Sequence, residues 1–182
     1  MWSAHVEEIS SKARQIVGLM YRQFYTWSSP QALLKLYTSL VRSHLEYASQ
    51  VWNPHLIKDI DRLERVQKFA VKVCCKEWNA FYPELLEVPE LSVQRKCLNL
   101  CYFYKLVNHS FEFPNCPITV RMLYYPNRNG RTDLYVQPYA NSNAFLNSFF
   151  PSTISLWNSL PSAAVSATSL FSFKGQLSQL VI

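Results

Sequence analysis

Arg65, Lys68, Lys72 and Lys76 recur at intervals of three, four and four residues, the spacing that brings side chains onto one side of an α-helix. Arg62 extends the row by three more residues. A line of cations on a rod suits electrostatic contact with the phosphates of a nucleic-acid backbone, where each neutralised phosphate releases counterions. The same row is compatible with a plain solvated helix face. Arg121, Arg128 and Arg131 lie around the turn signal Asn129-Gly130 and form a second candidate contact, which can equally be solubilising charge.

Catalytic chemistry is harder to assemble. Asp59 and Asp61 are the closest acidic pair that could hold metal ions, but two residues apart on a helix they face different sides. His44, near Glu46 and Tyr47, falls on an apolar helical stripe and is expected to be a hydrogen-bonded core residue. No nucleophile has a neighbouring base, and three glycines in the whole chain leave no room for a phosphate-cradling loop. Cys97-x3-Cys101-x7-His109-x6-Cys116 offers zinc-ligand types at a spacing too stretched for a structural zinc site. Neither a catalytic residue, a metal nor a cofactor is expected. Trp52, Trp78 and Trp157 can in principle stack on bases. Trp52 and Trp157, beside Asn-containing turns, are expected instead to anchor packing.

The elements that must position these groups follow from periodicity. Val6, Ile9, Ala13, Ile16, Val17, Met20 and Phe24 predict a helix over residues 4–24. Ser29-Pro30 is a cap and first-turn signal for a second helix reaching Trp52, with Leu33, Leu36, Tyr37, Leu40, His44, Ala48 and Val51 as its buried stripe and Lys35, Arg42 and Glu46 on its wet side. Asn53-Pro54 ends it. A third helix, from about Ile57 to Lys76, buries Ile60, Leu63, Val66, Ala70 and Val73 and carries the basic row. Three helices with one apolar stripe each should pack as a bundle.

Next comes a helix over 92–108, apolar on more than one face. Six prolines from Pro114 to Pro161 then punctuate the chain. Ile118 to Tyr124 and Leu134 to Val136, around Asn129-Gly130, predict a β-hairpin. A short helix is expected over 152–157 and a terminal one through Leu170, Phe173, Leu177 and Leu180.

Composition sets the limits. Apolar residues make up 49% and charged residues 16%, which excludes a disordered chain. The net charge of +6 favours an anionic partner. Residues 1–78 hold eleven of the eighteen Lys and Arg, so the bundle carries most of the positive charge. Five cysteines, an odd number, without a leader-like segment read as free thiols in a reducing compartment, nucleus or cytoplasm. Nothing is apolar for long enough to span a membrane. The abrupt start at Trp2 suggests a piece of something longer.

Four blocks carry a family resemblance. They are Trp2-x-x-His5-Val6-x-x-Ile9-x-x-Lys12-Ala13; then Leu36-Tyr37-x-x-Leu40-Val41-Arg42-x-x-Leu45-Glu46-Tyr47-Ala48-x-x-Val51-Trp52-Asn53-Pro54; then Leu63-Glu64-x-Val66-Gln67-Lys68-x-Ala70, followed by Tyr82-x-Glu84, Arg95-Lys96 and Tyr104-Lys105; and finally Ser148-Phe149, Trp157-Asn158-Ser159-Leu160-Pro161 and Phe173-Lys174. In this order they resemble the stretch downstream of the polymerase active site in LINE-type, non-LTR retrotransposon reverse transcriptases of the jockey and chicken-repeat kind.

The resemblance implies a segment that follows the palm, with its first helices thumb-like and gripping a template–primer duplex. The Tyr-x-Asp-Asp motif whose carboxylates hold the family's metal ions is absent from this chain, so the expected role is non-catalytic. Partners would be RNA or an RNA/DNA template–primer and the palm and fingers of a longer polymerase. Arg95-Lys96 stands where the family often has two arginines, which weakens bidentate phosphate contact there. The expected architecture is mainly α, with a three-helix thumb-like bundle over residues 1–78. Residues 79–182 would hold further helices, then an irregular region with one β-hairpin. The competing expectation is a helical protein-interaction module, or a functionless relic of a mobile element.

Overall fold

The computed structural model describes residues 2–78, 88–108 and 134–180. The chain is mainly α, and no strand element occurs among the described residues. It divides into two compact units, Met1–Arg95 and Lys96–Ile182. The expected hairpin over 118–136 lies largely outside the described residues.

In the first unit, α1 (Ser3–Phe24) buries Val6, Ala13, Val17 and Met20, with Ile9, Ile16 and Phe24 partly covered. The stripe read from the sequence is therefore the one the core uses. α2 (Pro30–Leu36) starts as expected: the Ser29 side chain accepts from the Ala32 N–H at 3.3 Å, and Pro30 occupies the first turn, where its missing N–H costs nothing.

Beyond Leu36 the structure departs from the single helix expected to run to Trp52. Tyr37–Arg42 is a π-helical turn, α3 (Ser43–Glu46) follows it, and the chain breaks at Ala48 in the left-handed region (φ 50) before α4 (Ser49–Trp52). The wider turn rotates everything after it. Leu33, Tyr37, Val41, Leu45 and Ser49 are buried, whereas Leu40, His44, Ala48 and Val51 of the expected stripe are exposed. In an ordinary helix each four-residue step overshoots by about 40°; the π turn absorbs that drift and keeps the four-residue series on the core side. Arg42, expected on the wet side, is consequently buried and pairs with Glu46 at 2.6 Å. A left-handed alanine costs roughly 1–2 kcal/mol. The corner is held by the Trp52 indole, which donates to the Tyr47 carbonyl at 2.7 Å.

α5 (Ile57–Cys75) packs on α1 and α2 and buries Leu63, Val66, Ala70 and Val73 as expected, with Ile60 half-buried. It also buries polar groups, each with a partner. Asp59 accepts from the Ser3 hydroxyl at 2.6 Å, and Gln67 accepts from Tyr37 Oη at 2.7 Å while donating to the Pro89 carbonyl at 3.0 Å. Glu64 accepts from the Ser92 N–H at 3.0 Å, at the start of α6 (Leu91–Val107). Leu91 joins the first core, which is why the first unit extends past Trp78 to Arg95.

The second unit holds the rest of α6 with α7 (Asn143–Leu146), α8 (Phe149–Ser159), α9 (Ser162–Val165) and α10 (Leu170–Gln179), of which α7 buries no side chain. Its core gathers Leu100, Phe103, Tyr104, Tyr135, Ile154, Trp157, Phe173 and Leu177. The helices expected over 152–157 and through Leu170 to Leu180 are present as α8 and α10, and with α7 and α9 beside them the described residues 143–179 are mostly helical rather than irregular. Pro151 does not interrupt α8 because it lies in the first turn, where no intrahelical donor is required. The Trp157-Asn158 pair has a mechanical role. Trp157 meets Phe103 edge-on at 5.1 Å, and the Asn158 amide donates to the Tyr135 carbonyl (2.9 Å) while accepting from its N–H (3.0 Å).

Candidate nucleic-acid interface

α5 rises about 27 Å between residues 58 and 76. Taking Arg65 as zero, 100° per residue places Lys72 and Lys76 within about 20° of it and Lys68 about 60° to one side. Arg65 and Lys68 are exposed, while Lys72 and Lys76 are half-buried. Arg62 lies about 60° to the other side; it is half-exposed and faces Glu7 of α1 at 3.2 Å. The Arg65 Nε–H donates to the Asp61 carbonyl one turn back, at 3.2 Å. Lys76 ends the helix in the left-handed conformation (φ 59), with its ammonium 5.3 Å from the centre of the Tyr25 ring.

Lys58 belongs to the same row and sequence reasoning missed it. It is exposed and lies within about 20° of the Arg65 direction. The signal was present, because 58, 62, 65, 72 and 76 keep the three- and four-residue rhythm. Phe69 fills the remaining step of that rhythm and is exposed. On the same scale the buried Leu63, Val66, Ala70 and Val73 lie about 80–160° round from Arg65 and hold the rod to the bundle. Arg121, Arg128 and Arg131 lie outside the described residues.

The other sequence candidates separate cleanly. His44 is not a core residue; with Lys12, Gln15, Ile16, Leu19 and Arg22 it lines an open hollow of about 400 Å³. Trp52 and Trp157 are 3% and 1% exposed, whereas Trp78 is 45% exposed. Cys97 and Cys101 lie on α6 as free thiols, while His109 and Cys116 fall outside the described residues. No group of three metal-ligating side chains occurs among the described residues. Burial raises the Cys97 and Cys101 thiols and pushes Cys74 up to about 12, as expected of thiols used as small apolar side chains.

Arg95 points inward. It is 2% exposed, donates through Nη2 to the Leu45 carbonyl at 2.8 Å, and lies 4.9 Å over the Trp52 ring. Burial lowers it to about 10, against the pull of Glu64 and Glu46. It is a structural strut behind the Tyr47–Ala48 corner and is unavailable to phosphates.

No protein-family model, curated protein or solved structure matches this chain. Among the described residues no helix is long and apolar enough to cross a membrane.

Proposed function

We propose that the chain is a non-catalytic segment of a LINE-like reverse transcriptase that holds RNA or a template–primer duplex along α5, the polymerase chemistry residing in a palm elsewhere. The observation that carries this reading is the one-sided distribution on α5. Lys58, Arg65, Lys68, Lys72 and Lys76 share one side of a rod whose other side is packed into the bundle. The sequence blocks resembling thumb and post-polymerase segments supply the polymerase context.

The test is a titration of the full chain with duplex and single-stranded RNA and DNA across ionic strengths. Phosphate contacts by Arg65, Lys68, Lys72 and Lys76 predict a log–log slope of about −3 to −4. Lys68→Ala with Lys72→Ala should reduce its magnitude by about 2 without changing sequence preference. An unchanged slope removes α5 from the interface.

A second reading has its own observation. Tyr47, Val51, Leu56 and Ile57, around the corner between α3 and α5, are all exposed, and clustered exposed apolar side chains are typical of protein docking surfaces. Salt-insensitive association with a protein, without nucleic-acid binding, favours that reading.

A further inference from the structure

The C-terminal end of the basic row runs into a group of exposed aromatic rings. Phe69 and Trp78 meet at 6.2 Å, Trp78 and Tyr21 at 6.3 Å, and Tyr21 and Tyr25 at 4.6 Å between ring centres. Phe69, Trp78 and Tyr21 are 40%, 45% and 43% exposed. Rings that touch one another yet keep nearly half their surface open are unlike the buried aromatics of either core. Cations flank them: Lys76 lies over Tyr25, and Lys72 is three residues past Phe69 on the same side of α5. Glu77 is the one carboxylate adjoining them in sequence.

We infer that Trp78, Phe69 and Tyr21 form a stacking platform for unpaired nucleotides, reached by a strand whose phosphates run along Lys72 and Lys76. This inference rests on the nucleic-acid reading of α5 and adds to it a single-stranded substrate at one end of the row. The chemistry is that of single-strand binders, in which aromatic faces take the bases and adjacent cations track the backbone. Charge complementarity selects the occupant, because an apolar partner would leave Lys72 and Lys76 to be desolvated without counter-charges. A single strand offers both bases for the contiguous rings and phosphates for the lysines beside them.

The experiment uses the full chain with oligo(dT), oligo(U) and a blunt duplex. Trp78→Ala should weaken binding to both single strands by roughly 5- to 150-fold, the range for loss of one base–aromatic stack. It should leave the salt slope and the blunt-duplex affinity unchanged. Trp78→Phe, which keeps a ring, should retain most of the affinity. Intrinsic fluorescence should be quenched when oligo(dT) binds the wild type, and much less so in Trp78→Phe. Trp78 is at the surface, so thermal melts should coincide; if Trp78→Ala nevertheless unfolds, Trp78→Phe and its quench decide the matter. Equal losses on duplex and single strands, or a quench unchanged by Trp78→Phe, overturn the platform while leaving the α5 reading intact. Absence of binding to any nucleic acid removes both.

Discussion

Replacing Arg95 with alanine should cost the first unit about 3–4 kcal/mol. The guanidinium is almost wholly buried, donates to the Leu45 carbonyl at 2.8 Å and covers the Trp52 ring at 4.9 Å. A hydrogen bond from a charged donor contributes about 1.5–3 kcal/mol, and a desolvated cation–π contact about 2 kcal/mol. Removal also takes from the buried Glu64 carboxylate the favourable coulombic pull of Arg95. Part is recovered, because burial already disfavours the charge, as the value lowered to about 10 indicates, and because Nε has no partner. A unit of 95 residues holds a total of roughly 5–14 kcal/mol, so the loss is a large share. Urea unfolding followed by intrinsic fluorescence is the suitable assay, since Trp2, Trp27, Trp52 and Trp78 belong to this unit and Trp157 alone to the other. Arg95→Lys should lose about half as much, keeping the charge but not the fork that spans carbonyl and ring. Arg95→Met should fall between lysine and alanine. Wild-type stability in Arg95→Met would refute the reasoning, since the site would then require volume alone.

Burial raises the Glu64 carboxyl, outweighing the Ser92 N–H that lowers it. Its contribution to stability is therefore complete below the ordinary glutamate value of about 4.3 and is lost as pH rises through the raised one. The stability of Glu64→Gln relative to wild type should climb over that interval and then level off; parallel stability curves would exclude Glu64 as the cause. A Cys74 thiol held at about 12 is ionised on the order of a thousandfold less at pH 8 than an ordinary thiol. In peptide-resolved labelling, Cys75 should be modified before Cys74, whose rate should track unfolding. Equal native rates would contradict the buried placement.

α1 and α5 were legible because a single apolar stripe admits one solution, and the start of α2 because Ser29-Pro30 is a cap signal. The stretch from Tyr37 to Trp52 was not. Leu36, Leu40 and His44 offer a stripe one residue away from Tyr37, Val41 and Leu45, and local periodicity does not choose between them. Packing of the π turn against α1 and α5 chooses, and it turns His44 outward and Arg42 inward. Pro151 was misleading for a related reason: proline punctuates a helix interior but is tolerated in a first turn. The cationic row was visible from its spacing, yet Lys58 and Phe69 were passed over although the same spacing includes them. The ring cluster was beyond reach, because Tyr21 and Trp78 are 57 residues apart and meet only once α1 packs on α5.

On the proposed reading, in which α5 holds a polyanion, the way its inner side is fixed matters. Long basic side chains lose about 2 kcal/mol of rotamer freedom each when immobilised, so a mobile rod would add its own ordering cost to theirs. Here the rod is held by the apolar seam to α1, by Gln67 between Tyr37 and Pro89, and by Glu64 on the first turn of α6. Lys76 is already directed by the Tyr25 ring and Arg62 by Glu7. An exposed pair such as Arg62–Glu7 contributes no more than about 1 kcal/mol, little enough for a phosphate to displace. On that reading the buried polar contacts of α5 and its surface cations act together: the former remove the rod's freedom, and only a rod without that freedom would keep its charges in register with a phosphate backbone.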